Sequence, residues 1–407
     1  MNQLSRLILA LFFLLVGIYY PAVGQAQDDP LADCFWEIPK DLLFREVNYL
    51  YWRGEFTLPD NDQLVIHGQY PYSREFSTGL YIVTETGGRT EISMLPGSVV
   101  NPDEGSTNPC SHNASRYAEP RDYTVTVVHG SPPDPPEPNT LYLKKKDDGS
   151  FNNEGEILVR YYLPDQDTPI GGVALPEVFL LHPDGSTTDL TGTCPDPEST
   201  FTRENPDDWE QNILPFNVKV PVPGDATRPI SWYAYLPGVM GGDIYVSQGN
   251  SYAYANIDVA AGEVLVIKGQ APTFPYTYES AARMGGGHVR YWSYSTYQWG
   301  TNRSSRGIFD EQIMVNPSQF YTIVLSRPED RPSNADPECG VAWLDVNPSP
   351  EGTSSIVLRH VFPAPYFQFT PLNAGDWFGL EDAMGPYMPT GTYMSTEEFE
   401  DLGYIRR

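Results

Sequence analysis

The stretch Thr273–Val289 (TFPYTYESAARMGGGHV) gathers residue types able to do chemistry within a short span. Phe274, Tyr276 and Tyr278 offer flat apolar faces, two of them with polar rims. Arg283 and His288 offer donors to a carboxylate or a hydroxyl. Gly285–Gly287 permits a positive φ or close backbone approach. Tyr294 and Trp299 follow soon after, so rings on a loop beside a ring-bearing strand would form two walls of a cleft. That chemistry suits a sugar or a protein partner, each stacked ring adding ~0.5–1.5 kcal/mol beyond area burial. The ligand-binding candidates are Tyr276, Tyr278, Arg283, His288, Tyr294 and Trp299. The competing expectation is a loop that caps a sandwich and buries its rings.

Catalytic signatures are missing from the sequence. There is no G-x-S-x-G, H-E-x-x-H, G-x-x-x-x-G-K-[ST] or G-x-G-x-x-G. Asp165-Gln-Asp167 begins like a calcium loop, but its twelfth position is Pro176 rather than a bidentate Glu. The six histidines share no metal-ligand spacing, and 53 acidic residues allow no single carboxylate pair to be chosen. No catalytic residue, metal site or cofactor is therefore assigned. The expectation is an exported non-catalytic binding or surface protein taking a carbohydrate or protein ligand. The alternatives are a secreted hydrolase without a recognisable motif and a structural component of the cell envelope.

The elements that would position these residues read as strands. Gln63–His67, Tyr123–Val128, Ile157–Tyr162, Val264–Lys268, Tyr321–Ser326 and Ile356–Val361 are short runs rich in β-branched and aromatic residues. Turn residues such as Pro183-Asp-Gly185 and Ala261-Gly262 separate them. The best helix candidate is the short stretch Thr396–Leu402. The composition predicts an all-β fold of antiparallel sandwiches, jelly-roll-like.

Self-similarity divides the chain. Leu64-Val-Ile-His-Gly68 matches Leu265-Val-Ile-Lys-Gly269 at an offset of 201. Ile157-Leu-Val-Arg160 matches Ile356-Val-Leu-Arg359 at 199, and Tyr123-Thr-Val matches Tyr321-Thr-Ile at 198. Two related halves are expected, at 27–205 and 206–407, with a border near Cys194–Asp208. Arg74–Tyr81 matches Arg290–Tyr297 at 216, so RYWSYSTY is a strand of the fold and Trp292 and Tyr297 stand where Phe76 and Tyr81 stand. The jump in offset makes 273–289 an insertion of about fifteen residues in the second half. Insertions lie in surface loops, and binding functions often ride on them.

Arg74 with Arg290, and Arg160 with Arg359, are matched arginines within or at the start of these strands. An unpaired buried charge costs several kcal/mol, so each must reach solvent, a carboxylate or carbonyls. Their presence in both halves favours a structural role.

Residues 1–26, with the apolar run Leu7–Ile18 and small residues near Ala22–Ala26, read as a cleaved signal peptide. No later run is long enough to span a membrane. A secreted, periplasmic or cell-envelope location follows. The formal net charge of −28 excludes nucleic acid as a partner. Cys34, Cys110, Cys194 and Cys339 suggest two disulfides in an exported chain, with connectivity open. Three fall in the first half, so full pairing would join the halves by one bridge. Asn113 and Asn302 match the glycosylation pattern.

Arg290-Tyr-Trp-Ser293, Tyr321–Pro332, Cys339–Leu344 and Leu358-Arg359 resemble stretches of uncharacterised secreted proteins found mainly in bacteria. Gly105–Pro109, Arg160–Pro164 and Gly171–Pro176 are similar to the same group. The resemblance implies export and a β-sandwich fold, and no reaction.

Overall fold

The computed structural model describes residues 33–39, 42, 45–83, 88–146, 149–197, 226–235, 247–279, 281–298, 304–346 and 353–403. The signal segment, most of the expected border, Trp299 and Asn302 lie outside the described residues. The predicted all-β class is what the chain adopts: eighteen strands among the described residues, in four sheets.

The first half contributes β1 (Tyr49–Thr57), β2 (Gln63–Gln69), β3 (Ser73–Val83), β4 (Arg89–Pro96), β5 (Asp122–His129), β6 (Thr140–Leu143), β7 (Glu154–Pro164), β8 (Glu177–Leu181) and β9 (Thr187–Asp189). They form sheets of order β1-β7-β3-β4 and β6-β5-β2-β8-β9. The second half contributes β10 (Tyr233–Tyr235), β11 (Asn250–Asp258), β12 (Glu263–Gln270), β13 (Tyr291–Gln298), β14 (Ser304–Phe309), β15 (Phe320–Ser326), β16 (Ala342–Asp345), β17 (Thr353–Val361) and β18 (Thr390–Ser395). Their sheets have the orders β10-β11-β17-β13-β14 and β16-β15-β12-β18. Strand for strand, β11-β17-β13-β14 repeats β1-β7-β3-β4, and β16-β15-β12-β18 repeats β6-β5-β2-β8. The registers correspond too: Ser77 lies opposite Arg160, and Ser293 opposite Arg359. Pairing is antiparallel except for β5–β6 and β15–β16, one parallel pair in each half.

Side-chain alternation explains how these layers stack. Along β7, Ile157, Val159 and Tyr161 point into the first sandwich core with Leu64 and Ile66 of β2 and Val125 of β5. The intervening Leu158 and Tyr162 point the other way, into a second core with Tyr49, Tyr291, Phe309 and Val361. That core draws on both halves, so the two inner sheets are covered on both faces. This is why β3, β7 and β13 are buried along nearly their whole length, whereas β2 alternates.

Among the described residues two short α-helices sit late in the chain. The first, α1 (Leu380–Met384), buries Leu380 and Met384 on one face. The second, α2 (Thr396–Asp401), falls where the sequence placed a helix and starts with a capping box between Ser395 and Glu398.

The expectation of two disulfides is corrected. Cys34 and Cys194 are bonded, both within the first half, while Cys110 and Cys339 are buried free thiols. The physical reason is placement. Cys110 belongs to the first sandwich core, and Cys339 to a separate cluster with Val264, Val324 and Phe399 in the second half. Each behaves as a small apolar side chain. The halves are joined by tyrosines and ion pairs instead of a disulfide.

An aromatic cleft where two insertions meet

The matched arginines lie between the halves, and each faces carboxylates. Arg74 reaches from β3 into the second half, bonding Asp310 at 2.5 Å, Glu311 at 2.5 Å and the Thr277 hydroxyl at 3.0 Å. Arg290 reaches back to Glu75 at 2.9 Å and to the Cys110 carbonyl. Arg359 pairs with Glu46, which precedes β1, and its guanidinium also donates to Ser295 and Tyr297. Arg160 lies 3.6 Å from Glu91 and donates to the Tyr81 hydroxyl at 2.7 Å. The sources of the acids differ between halves. Opposite Tyr81 in β4 stands Glu91, and the matching position opposite Tyr297 is Ser304. Gly79 leaves the room that Glu91 fills, since a Cβ there would stand 2.5 Å from its carboxylate. The matching Ser295 instead donates to Glu46 at 3.0 Å. These groups are buried or nearly so, and the pairs Arg74 with Asp310 and Glu311, Arg290 with Glu75, and Arg359 with Glu46 tie one half to the other.

The insertion 273–289 straps the halves together. Glu311 accepts the backbone N–H groups of Thr277 and Tyr278 at 2.6 and 2.9 Å, and Arg116 of the first half donates to the Thr277 and Ala281 carbonyls at 3.1 Å. Ser115 and Arg283 form a β-bridge, and Met284 is buried. Gly287 is required by close approach rather than by a positive φ: a Cβ there would stand 2.5 Å from the Phe274 Cα.

The six ligand candidates separate accordingly. Tyr294 points into the second sandwich core and shares a 2.7 Å hydroxyl bond with Tyr321. Tyr278 packs edge-on against Phe309 in the core between the halves. The Arg283 guanidinium donates to the Asn113 carbonyl at 2.8 Å. Tyr276 is 59 % exposed and rests on Phe274 at 4.6 Å. His288 is half-buried in a cluster of rings, and Trp299 lies outside the described residues.

That ring cluster contains a second insertion, which the sequence reading passed over. The register offset between halves rises from 199 at β7 and β17 to 213 at β8 and β18, so the segment 362–389 is longer than its first-half counterpart. This segment folds onto the first insertion. The Ala364 N–H donates to the His288 carbonyl at 2.8 Å, and the Tyr366 hydroxyl donates to the Gly287 carbonyl at 2.8 Å. The His288 ring stacks on Phe367 with centroids 4.5 Å apart and planes 6° from parallel. Tyr387 meets Phe367 edge-on at 5.1 Å and lies 5.7 Å from Phe369. A signal was present in the sequence: β17 and β18 are separated by a Pro-rich, aromatic segment without a match in the first half.

Beside these rings opens a cleft of about 750 Å³, lined among others by Pro363, Phe367, Phe369, Leu372, Asn373 and Asp382. Its volume is in the range of small-molecule sites. Several local features hold its walls. Pro371 opens a 3-10 turn, and the Asp376 carboxylate accepts the N–H groups of Phe378 and Gly379 at 2.8 Å each. The Thr370 hydroxyl on the lining is buried and bonded to Ser251 at 3.0 Å. Burial lowers the His288 pKa below its ordinary value, so the imidazole is neutral at pH 7. Close to the cleft, His360 is fully buried with its ring 6.2 Å from Phe367, and burial pushes its pKa down to about 3. Among the described residues no cluster of three or more His, Cys, Asp or Glu side chains is arranged to hold a metal ion. No helix there is long and apolar enough to cross a membrane.

Comparison with known proteins places the architecture. No family model and no curated protein matches the chain. A solved structure of an uncharacterised protein from Burkholderia cenocepacia is similar, with a TM-score of 0.52 at 12% identity over 90% of this chain and 84% of that one. A solved Vibrio parahaemolyticus protein aligns with a TM-score of 0.41 at 12% identity over 86% and 90%. At such identity the first likeness concerns the fold alone.

Proposed function

We propose that the chain is an exported, non-catalytic binding or surface protein whose ligand, a carbohydrate or a protein partner, is taken at the cleft beside His288, Tyr366 and Phe369. One observation carries this reading: the second insertion, 362–389, longer than its first-half counterpart and packed on Gly287 and His288 of the first, walls an open cleft with Phe367 and Phe369 on its lining. Residues shared by the halves account for folding, whereas asymmetric additions to a rigid scaffold are where binding commonly resides. The four-sheet body supplies that scaffold, with its inner sheets buried on both faces. The apolar N-terminal segment and the Cys34–Cys194 bridge support export to a secreted, periplasmic or envelope location. The chain origin in the bacterial secreted group, and the descent of both halves from one unit, belong to the same reading.

The test is an affinity capture with the mature chain as bait, run beside an array of glycans, comparing wild type with Phe369→Ala. A ligand retained by wild type and lost by the variant supports the reading. A ligand retained equally by both, or hydrolysis of an ester or glycoside panel by the purified chain, overturns it.

A further inference from the structure

Resting on that reading of the cleft, we propose that its ligand is a neutral saccharide chain, stacked on Phe369 with its hydroxyls on Gln368, Asn373 and Asp382. Three independent features of the lining point to this chemistry.

The first is ring surface held in place. Phe369, on the lining, is 41 % exposed. The ring is not loose: it lies against Tyr387, itself wedged on Phe367. A preordered ring with exposed apolar surface suits the C–H face of a pyranose, because little conformational freedom is lost on stacking.

The second is the type of polar group that shares the lining with this ring. Gln368, Asn373 and Asp382 all line the cleft. Amides donate and accept, and a carboxylate accepts at two oxygens, so each can span neighbouring hydroxyls of a sugar. Asn373 is oriented by its own bond, donating from Nδ2 to the Gln368 carbonyl at 2.7 Å.

The third is charge. Among the described residues, Asp382 is the one ionisable side chain of the cleft lining, and no Lys or Arg lines it. A chain of formal net charge −28 repels an anionic polymer, and this lining offers no cation to offset that. A protein partner generally needs about 800 Å² from each side, far more flat surface than a concave cleft of this volume presents.

The experiment uses the mature chain and isothermal titration with neutral hexasaccharides: cellohexaose, xylohexaose, maltohexaose, mannohexaose and chitohexaose. Oligogalacturonate serves as the anionic comparison. Binding of at least one neutral chain is expected, weakened about three- to tenfold by Phe369→Ala, the loss of one stacked ring. Asp382→Asn, which keeps shape and removes charge, should weaken it several-fold, and Tyr276→Ala, on the first insertion away from the lining, should not. Unchanged melting temperatures in all three variants separate loss of contact from loss of fold. Five blank neutral titrations, tighter binding of oligogalacturonate, or equal affinity in wild type and Phe369→Ala each overturn the saccharide. If the saccharides are blank while a captured protein depends on Phe369, the cleft remains the binding site with a different ligand. If neither depends on Phe369, the broader reading falls as well.

Discussion

Replacing Glu46 with Gln tests whether buried ion pairs hold the halves together. Glu46 and Arg359 are both essentially inaccessible to solvent. The carboxylate accepts from Arg359, from Ser293 at 2.8 Å, from Ser295 at 3.0 Å and from Asn48 at 2.9 Å. Glutamine keeps the shape and leaves the guanidinium without its counter-charge in a low-dielectric site. Removing one partner of a buried pair costs about 3–5 kcal/mol, against a total stability of roughly 5–15 kcal/mol. Denaturant unfolding followed by tyrosine and tryptophan fluorescence should show that loss as a lower midpoint. Removing both charges in Glu46→Gln/Arg359→Met should cost less than Glu46→Gln alone, because no charge is then stranded. A single-variant loss under about 1 kcal/mol, or a double variant worse than the single, would refute the reasoning.

Other outcomes follow from the same structure. Met284→Ala should cost about 2–5 kcal/mol because its side chain is buried; Arg283→Ala, whose guanidinium makes one exposed bond to a carbonyl, should cost at most about 1 kcal/mol by thermal melting. His360 has a folded pKa of about 3 against an ordinary 6.5, so its contribution is present above pH 6.5 and is lost as pH falls towards 3. The stability difference between wild type and His360→Phe should therefore shift against wild type by about 1.4 kcal/mol per pH unit across that window, and a flat difference would contradict the burial of a neutral imidazole. Opening the Cys34–Cys194 bridge, which closes a separation of 160 residues, should cost about 5 kcal/mol, and non-reducing peptide maps should show Cys110 and Cys339 as thiols.

Much of the scaffold was legible because strands carry their own period. The runs at Gln63–His67 and Ile157–Tyr162 became β2 and β7, and the stretch RYWSYSTY became β13, with Trp292 and Tyr297 both buried. What stayed hidden depends on contacts between residues far apart in sequence. Arg359 was visible as a charge in an apolar strand, but nothing local marks Glu46, more than 300 residues away, as its partner. The same holds for Arg74 and Asp310. Cysteine parity misled because a buried thiol and a disulfide cysteine look alike in a sequence. The first insertion was legible through its offset, yet most of its side chains serve the seam between halves. The second, 362–389, is hidden because β8 and β18 share no residue at matching register that would reveal the change of offset, and its aromatic residues gather only when Tyr366 and Phe367 meet Gly287 and His288.

The most direct measurement of the central claim is a diffraction structure of the mature chain crystallised with cellohexaose and, separately, xylohexaose. The account predicts a sugar ring lying on Phe369, with hydroxyls within hydrogen-bond distance of Asp382, and the walls of the cleft unmoved. Sugar density elsewhere on the surface, or a cleft empty of sugar while open to solvent in both crystals, would contradict it.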